Sequence, residues 1–188
     1  MSLWILALIV QPILIRRKKF AAHRWIGRST YVLMPLLLAS IILLVYSRNH
    51  GFVNDPTLGV YLFVPFSGVI NVGVAYALAL VYSHDVNIHA RAMIVTGIEF
   101  IEPPLSRLMH SILLRNDIVI GPSHLSYLST IAVVYSIFTA LIIAERKQKV
   151  GRWVFPLFLG LAIIFHSLIL FDIEIPIWNS FAKWFVSL

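Results

Sequence analysis

The chain contains no cysteine. Disulfides, thiolate nucleophiles and cysteine-held zinc or iron–sulfur sites are therefore excluded. Charge is scarce as well: 12% of the 188 residues are charged, eight acidic against 15 basic. There is no nucleophile elbow, phosphate loop or dinucleotide fingerprint, so no enzyme class is indicated. What fills the chain is hydrocarbon: 60% of residues are hydrophobic and mean hydropathy is +0.89. A soluble domain of this length is far more polar. The composition predicts an all-α, polytopic transmembrane helix bundle in one domain, residues 1–188, whose partner is the lipid bilayer.

Six apolar stretches predict six spans, at about 2–15, 29–47, 59–82, 89–113, 123–144 and 153–171. The first is short for a bilayer, which needs roughly 17–25 residues. It either borrows interfacial residues or belongs to a longer natural reading frame. Basic residues follow it instead of preceding it, the reverse of a secretory signal peptide. After Pro176, the residues Ile177, Trp178, Phe181, Trp184, Phe185 and Leu188 share one helical face. This predicts an amphipathic helix over 176–188 lying in the membrane interface, anchored by Trp.

Net charge is +7, but the basic residues follow topology and do not form a nucleic-acid patch. Arg16, Arg17, Lys18, Lys19, Arg24, Arg28, Arg91, Arg146, Lys147, Lys149 and Arg152 fall on one side of a six-span arrangement. Only Arg48, Arg115 and Lys183 fall on the other. The bias predicts cytoplasmic connectors at 16–28, 83–88 and 145–152 in an inner membrane, with 16–28 resting on anionic headgroups.

The fourth stretch, His89–His110, organises the rest. Its 21 steps at 1.5 Å each span about 31 Å, enough to cross a bilayer. On a helical wheel His89, Arg91, Thr96, Glu99, Glu102, Ser106, Arg107 and His110 fall within one arc of roughly 160°. The other face is Met93, Ile94, Gly97, Ile98, Phe100, Ile101, Leu105 and Leu108. A charge at the bilayer centre costs roughly 3 kcal/mol or more, so the polar stripe is expected to face other helices or a wet cavity. Pro103 and Pro104 lack N–H groups, which deprives the carbonyls of Glu99 and Phe100 of helical partners and predicts a kink. Arg107 is the expected counter-charge to the two glutamates. In the third stretch Gly68, Asn71 and Ala75 form a small-and-polar seam, from which Asn71 can reach the stripe.

Two uses of histidine are open. His23 and His89, both at the cytoplasmic face, are candidate ligands for a b-type haem. His23-Arg24-Trp25-Ile26-Gly27 looks like the His-x-x-x-Gly helix starts of some membrane cytochromes. The alternative is a pair of interfacial histidines among basic residues. For a metal site, a His from the fifth or sixth stretch would join His110 at the outer end. No His-x-x-x-His or Glu-x-x-His spacing supports it. A proton path through Glu99, Glu102 and Arg107 needs only buried carboxylates and water.

The segments His23-Arg24-Trp25-Ile26-Gly27-Arg28-Ser29-Thr30-Tyr31 and His89-Ala90-Arg91-Ala92-Met93-Ile94, followed by Arg107, resemble an uncharacterised bacterial multi-span membrane protein family, the domain of unknown function 2306 type. The resemblance covers about residues 1–113. It implies a bacterial inner-membrane protein, marks His23, Arg24, Gly27, Arg28, His89 and Arg91 as motif positions, and carries no activity. Members usually have more chain ahead of the first motif. Three functions follow as expectations: a small carrier or proton-coupled protein using the fourth stretch, a haem b redox protein using His23 and His89, or a non-catalytic assembly subunit with a protein partner still to be named.

Overall fold

Helix is the only extended regular structure in this computed structural model, which describes residues 2–55, 57–113, 119–120, 123–171, 173 and 175–188. Among the described residues seven helices run in chain order: α1 (Ser2–Arg16), α2 (Phe20–Asn49), α3 (Leu58–Val81), α4 (Val86–Leu113), α5 (Leu125–Ala144), α6 (Val154–Leu170) and α7 (Pro176–Ser187). A two-residue antiparallel ladder, β1 (Val119–Ile120) with β2 (Ser123–His124), precedes α5. The Asn-Asp-Pro turn at Pro56, the loop residues Arg115 and Asp117, the Gly121-Pro122 turn, the His124 side chain and Asp172 lie wholly or partly outside the described residues.

Three helices, α2, α3 and α5, are long and apolar enough to cross a membrane. α1 and α6 are apolar but shorter. Their 15 and 17 residues rise about 22 and 25 Å against a hydrocarbon core of about 30 Å. α4 has the length, but Arg91, Glu99, Glu102 and Arg107 lower its hydropathy.

One boundary differs clearly from the sequence reading. α2 begins at Phe20, nine residues ahead of the expected Ser29, so His23, Arg24, Gly27 and Arg28 lie on its first turns and not in a loop. Nothing between Phe20 and Arg28 breaks a helix, and the chain reverses in the short Arg17–Lys19 turn, with Lys18 left-handed at φ 57°.

α4 is the hub, packing against α1, α3, α5 and α6. Asp85 starts it by accepting hydrogen bonds from the amides of Asn87 (2.9 Å) and Ile88 (3.4 Å), which satisfies donors that a helix start leaves unpaired. Between Ile88 and Phe100 it is buried on both of its expected faces: Ile98 and Phe100 from the apolar side join Arg91, Thr96 and Glu99 from the polar side. A helix with four neighbours has little surface left for lipid. Among its exposed apolar side chains, Ile94, Ile101 and Leu108 lie seven residues apart in one row.

Three apolar clusters surround this hub. Ala75, Val95, Phe138 and Phe158 tie α3, α4, α5 and α6. Val45, Leu62 and Phe185 tie α2, α3 and α7. Trp4, Met34, Tyr76 and Phe100 tie α1 through α4. Trp4 is fully buried and donates its indole N–H to the Thr96 hydroxyl at 3.1 Å. Trp4→Phe removes this bond and the pyrrole half of the buried indole, so a loss of about 1–3 kcal/mol is expected in detergent unfolding. Trp4→Ala should cost about 3–5 kcal/mol.

The C-terminal helix forms as the sequence predicts, but its apolar face divides. Ala182, Phe185 and Val186 are buried against α2 and α3, and the Trp178 indole donates to the Gly59 carbonyl at 2.8 Å. Ile177, Trp184 and Leu188 stay exposed. An isolated amphipathic helix has only lipid to cover its face, whereas here part of that face is claimed by the bundle.

Candidate functional site

Among the described residues, α3, α4, α5 and α6 bring their polar side chains to one place. Asn71 on α3 is buried and donates its Nδ2 to Glu99 Oε1 on α4 at 3.4 Å. One turn on, Glu102 faces His166 on α6, whose Nε2 lies 3.3 Å from Glu102 Oε1. His166 Nδ1 lies 3.1 Å from the Tyr135 hydroxyl on α5. The partners fix the neutral tautomer: Nε2–H donates to the carboxylate, and Nδ1 accepts from the phenol. The result is a continuous Tyr135–His166–Glu102 chain one helical turn from the Asn71–Glu99 pair.

Asn71, Glu99, Glu102 and His166 line the inner part of a cavity of about 1040 Å³, whereas Tyr135 does not reach its wall. It extends from the α2–α3 connector, at Arg48 and Asp55, and from the start of α7, down to Asn71 and Glu99. Phe63, Phe165 and Trp178 supply its aromatic walls, with ring centroids 5.9 Å apart for Phe63 and Phe165 and 5.3 Å for Phe63 and Trp178. Near the mouth, the hydroxyl and amide of Thr57 hold the Asp55 carboxyl below the usual carboxylate range. A lowered folded-state pKa means that its contribution is present at neutral pH and is lost as pH falls through that lowered value. Thr57→Ala should therefore move the Asp55 titration upward in a ¹³C-NMR titration, back toward the ordinary range.

The expected site residues are placed as follows. Asn71, Glu99, Glu102 and Arg107 all line the cavity. Glu99 is buried, while Glu102 keeps a fifth of its side chain exposed. Arg107, the expected counter-charge, is exposed on the wall and makes no ion pair among the described residues; Glu102 pairs with His166 instead. His110 lies on the exposed end of α4 and does not line the cavity. Asn71 and Ala75 of the small-residue seam are buried, but a Cβ at Gly68 would meet no atom within 4 Å, so that end of the seam borders the cavity instead of a helix.

The sequence reading points to neither Tyr135 nor Tyr127, and it covers His166 only as one of the fifth- and sixth-stretch histidines that could join His110. A lone ionisable group inside an otherwise apolar helix is the same signal that marked α4, and it points to His166. No sequence periodicity connects α5 to α4, so the tyrosines needed the fold.

A second polar place lies at the other end of α4. His89 Nδ1 donates to the Ala79 carbonyl at 2.8 Å, leaving Nε2 as its free acceptor. His23 stands within electrostatic reach of His89, and its buried Nδ1 has no hydrogen-bond partner. Gln11 donates Nε2 to the His23 carbonyl at 3.2 Å, and its buried Oε1 is likewise unpartnered. Arg24 and Arg28 are exposed, while Arg91 is buried and ion-paired to Glu145. Among the described residues no group of three or more His, Asp or Glu is placed to hold a metal ion.

No family model matches this chain, and neither a curated protein nor a solved structure matches it.

Proposed function

We propose that the chain is a six-span bacterial inner-membrane protein of the family its two motifs resemble, acting as a small proton-coupled carrier through Glu99, Glu102 and Arg107. The observation that supports it most is the cavity, which leads from one end of the bundle to a buried carboxylate and a Glu–His–Tyr chain at mid-helix. Intramembrane ionisable groups that line a cavity are the usual components of substrate and proton paths. The charge bias of the connectors orients the cavity mouth outward, with α1 and α6 crossing a locally thinned or tilted bilayer and α7 covering the outer rim. Glu99 takes and releases the coupled proton, cavity water carries it to Glu102, the His166–Tyr135 arm exchanges it with Glu102, and Arg107 attracts counter-ions at the wall.

The test is pH-driven flux in proteoliposomes containing a trapped pH-sensitive dye. Glu99→Gln and Glu102→Gln each keep the side-chain shape and remove the exchangeable carboxylate. Each should slow the protein-dependent dye response at least about tenfold, equivalent to about 1.4 kcal/mol of barrier. A response equal to that of the unaltered protein in both variants rules the reading out. Tyr135→Phe should slow it less, because the relay is broken while both carboxylates remain.

One observation favours a second reading, a haem b protein: His23 stands within electrostatic reach of His89, and its buried Nδ1 has no hydrogen-bond partner among the described residues. A Soret band in the purified protein that disappears in His23→Ala and His89→Ala supports it, and a colourless holoprotein from haem-replete cells excludes it.

A further inference from the structure

We propose that the cavity floor binds an organic cation, a protonated amine whose N–H groups meet Asn71, Glu99 and Glu102 and whose apolar body lies along Phe63, Phe165 and Trp178. The inference deepens the carrier reading and rests on it. Its basis is an excess of acceptors with nothing to fill them. Asn71 is 4% exposed; its Nδ2 is given to Glu99, and its buried Oδ1 has no partner among the described residues. A buried polar atom left unfilled costs about 1–3 kcal/mol, so such an atom at a cavity wall marks a place for a donor. Beside it, among the described residues, the Glu99 and Glu102 carboxylates receive one hydrogen bond each, from Asn71 and His166. An ionised carboxylate accepts up to about four. Pro103 and Pro104 leave the Glu99 and Phe100 carbonyls without N–H donors on the same turns.

Shape then selects among cations. A cavity of about 1040 Å³ is at the upper end of the range for small organic ligands, about 300–1,000 Å³, and far exceeds an inorganic ion. Its aromatic walls suit a cation bearing an apolar body, through ring-face attraction and burial together. The titratable and charged groups around the floor are Glu102 and Arg107 on α4, Tyr127 and Tyr135 on α5, and His166 on α6. Arg107 sits five residues, about 7.5 Å of helix rise, nearer the mouth than Glu102. It is exposed to water, which screens it, whereas Glu99 is enclosed. The amine competes with protons for the carboxylates, so its affinity falls as pH falls, by up to about tenfold per unit if one proton is displaced.

The experiment is calorimetry on the full chain in lipid nanodiscs with 2-phenylethylammonium as the probe and uncharged 2-phenylethanol as its control. Saturable binding of the amine, at least about tenfold weaker in Glu99→Gln and absent for the alcohol, supports the site. Gly68→Leu supplies an independent check, because a Cβ there meets no atom within 4 Å and the larger side chain fills cavity volume without removing a polar group. It should weaken binding about tenfold while the protein stays folded by circular dichroism. No amine binding, equal binding of the alcohol, unaltered affinity in both variants, or complete displacement by sodium chloride at matched ionic strength each overturns the proposal. The proton-flux assay separates the two ideas. Glutamate-dependent flux without amine binding refutes the organic cation and leaves the carrier. Amine binding without any flux upholds the site and refutes the coupling.

Discussion

Arg91→Met is expected to lower the stability of the detergent-solubilised protein by about 2 kcal/mol, measured by denaturant unfolding. Arg91 is buried at the start of α4, where its Nε pairs with Glu145 at the end of α5 and its Nη1 donates to the Asn87 carbonyl at 2.8 Å. Methionine replaces the stem but strands the Glu145 carboxylate against an apolar wall. A fully buried pair loses about 3–5 kcal/mol when one partner is removed. Glu145 keeps 29% of its side chain exposed, so water recovers part of that. The double variant Arg91→Met with Glu145→Gln should regain about 1 kcal/mol, since the stranded charge is gone. A single variant within about 0.5 kcal/mol of the parent would mark the pair as an ordinary surface contact.

Gly151→Ala is expected to be worse, about 3 kcal/mol, although it adds one methyl. Gly151 is buried with φ +75°, and a Cβ there would stand 2.8 Å from Arg91 Nη1 and 3.1 Å from Ile88 Cγ1. The left-handed backbone costs a side-chain-bearing residue about 1–2 kcal/mol. Crowding against the guanidinium and Ile88 adds about 1–3 kcal/mol. Gly51 is the internal control: its φ is +95°, but nothing lies within 4 Å of its Cβ position. Gly51→Ala should therefore show the backbone cost alone, about 1–2 kcal/mol. In an Arg91→Met background the penalty at Gly151 should shrink, because part of the crowding is removed with the guanidinium. Equal penalties at the two glycines would show that contact with Arg91 contributes nothing.

The two predictions concern the same corner, of which only part was legible in the sequence. Arg91 reads as a topology-setting motif residue and as a member of the inward polar stripe, but its partner does not, because Glu145 reads as the edge of a basic loop. Only the packing of α4 beside α5 turned them into a buried pair, with the connector glycine laid over it. The basic stretch near the N-terminus shows the opposite relation. Residues 16–28 read as a basic connector, but helix runs through most of them, because nothing from Phe20 onward opposes helix formation.

Some properties needed no coordinates. The abundance of apolar residues and the spacing of turn formers determine an all-helical chain with helices long enough for a bilayer. The scarcity of charge makes each intrahelical ionisable group conspicuous, so Glu99, Glu102 and Asn71 stand out from the row of letters. Partner choice belongs to the tertiary structure: Glu102 with His166, Arg91 with Glu145, Trp4 with Thr96. The reason is geometric. A helix repeats every 3.6 residues and so reveals which side chains share a face, but the neighbour that face meets depends on how separate helices pack, and no periodicity within one helix encodes that.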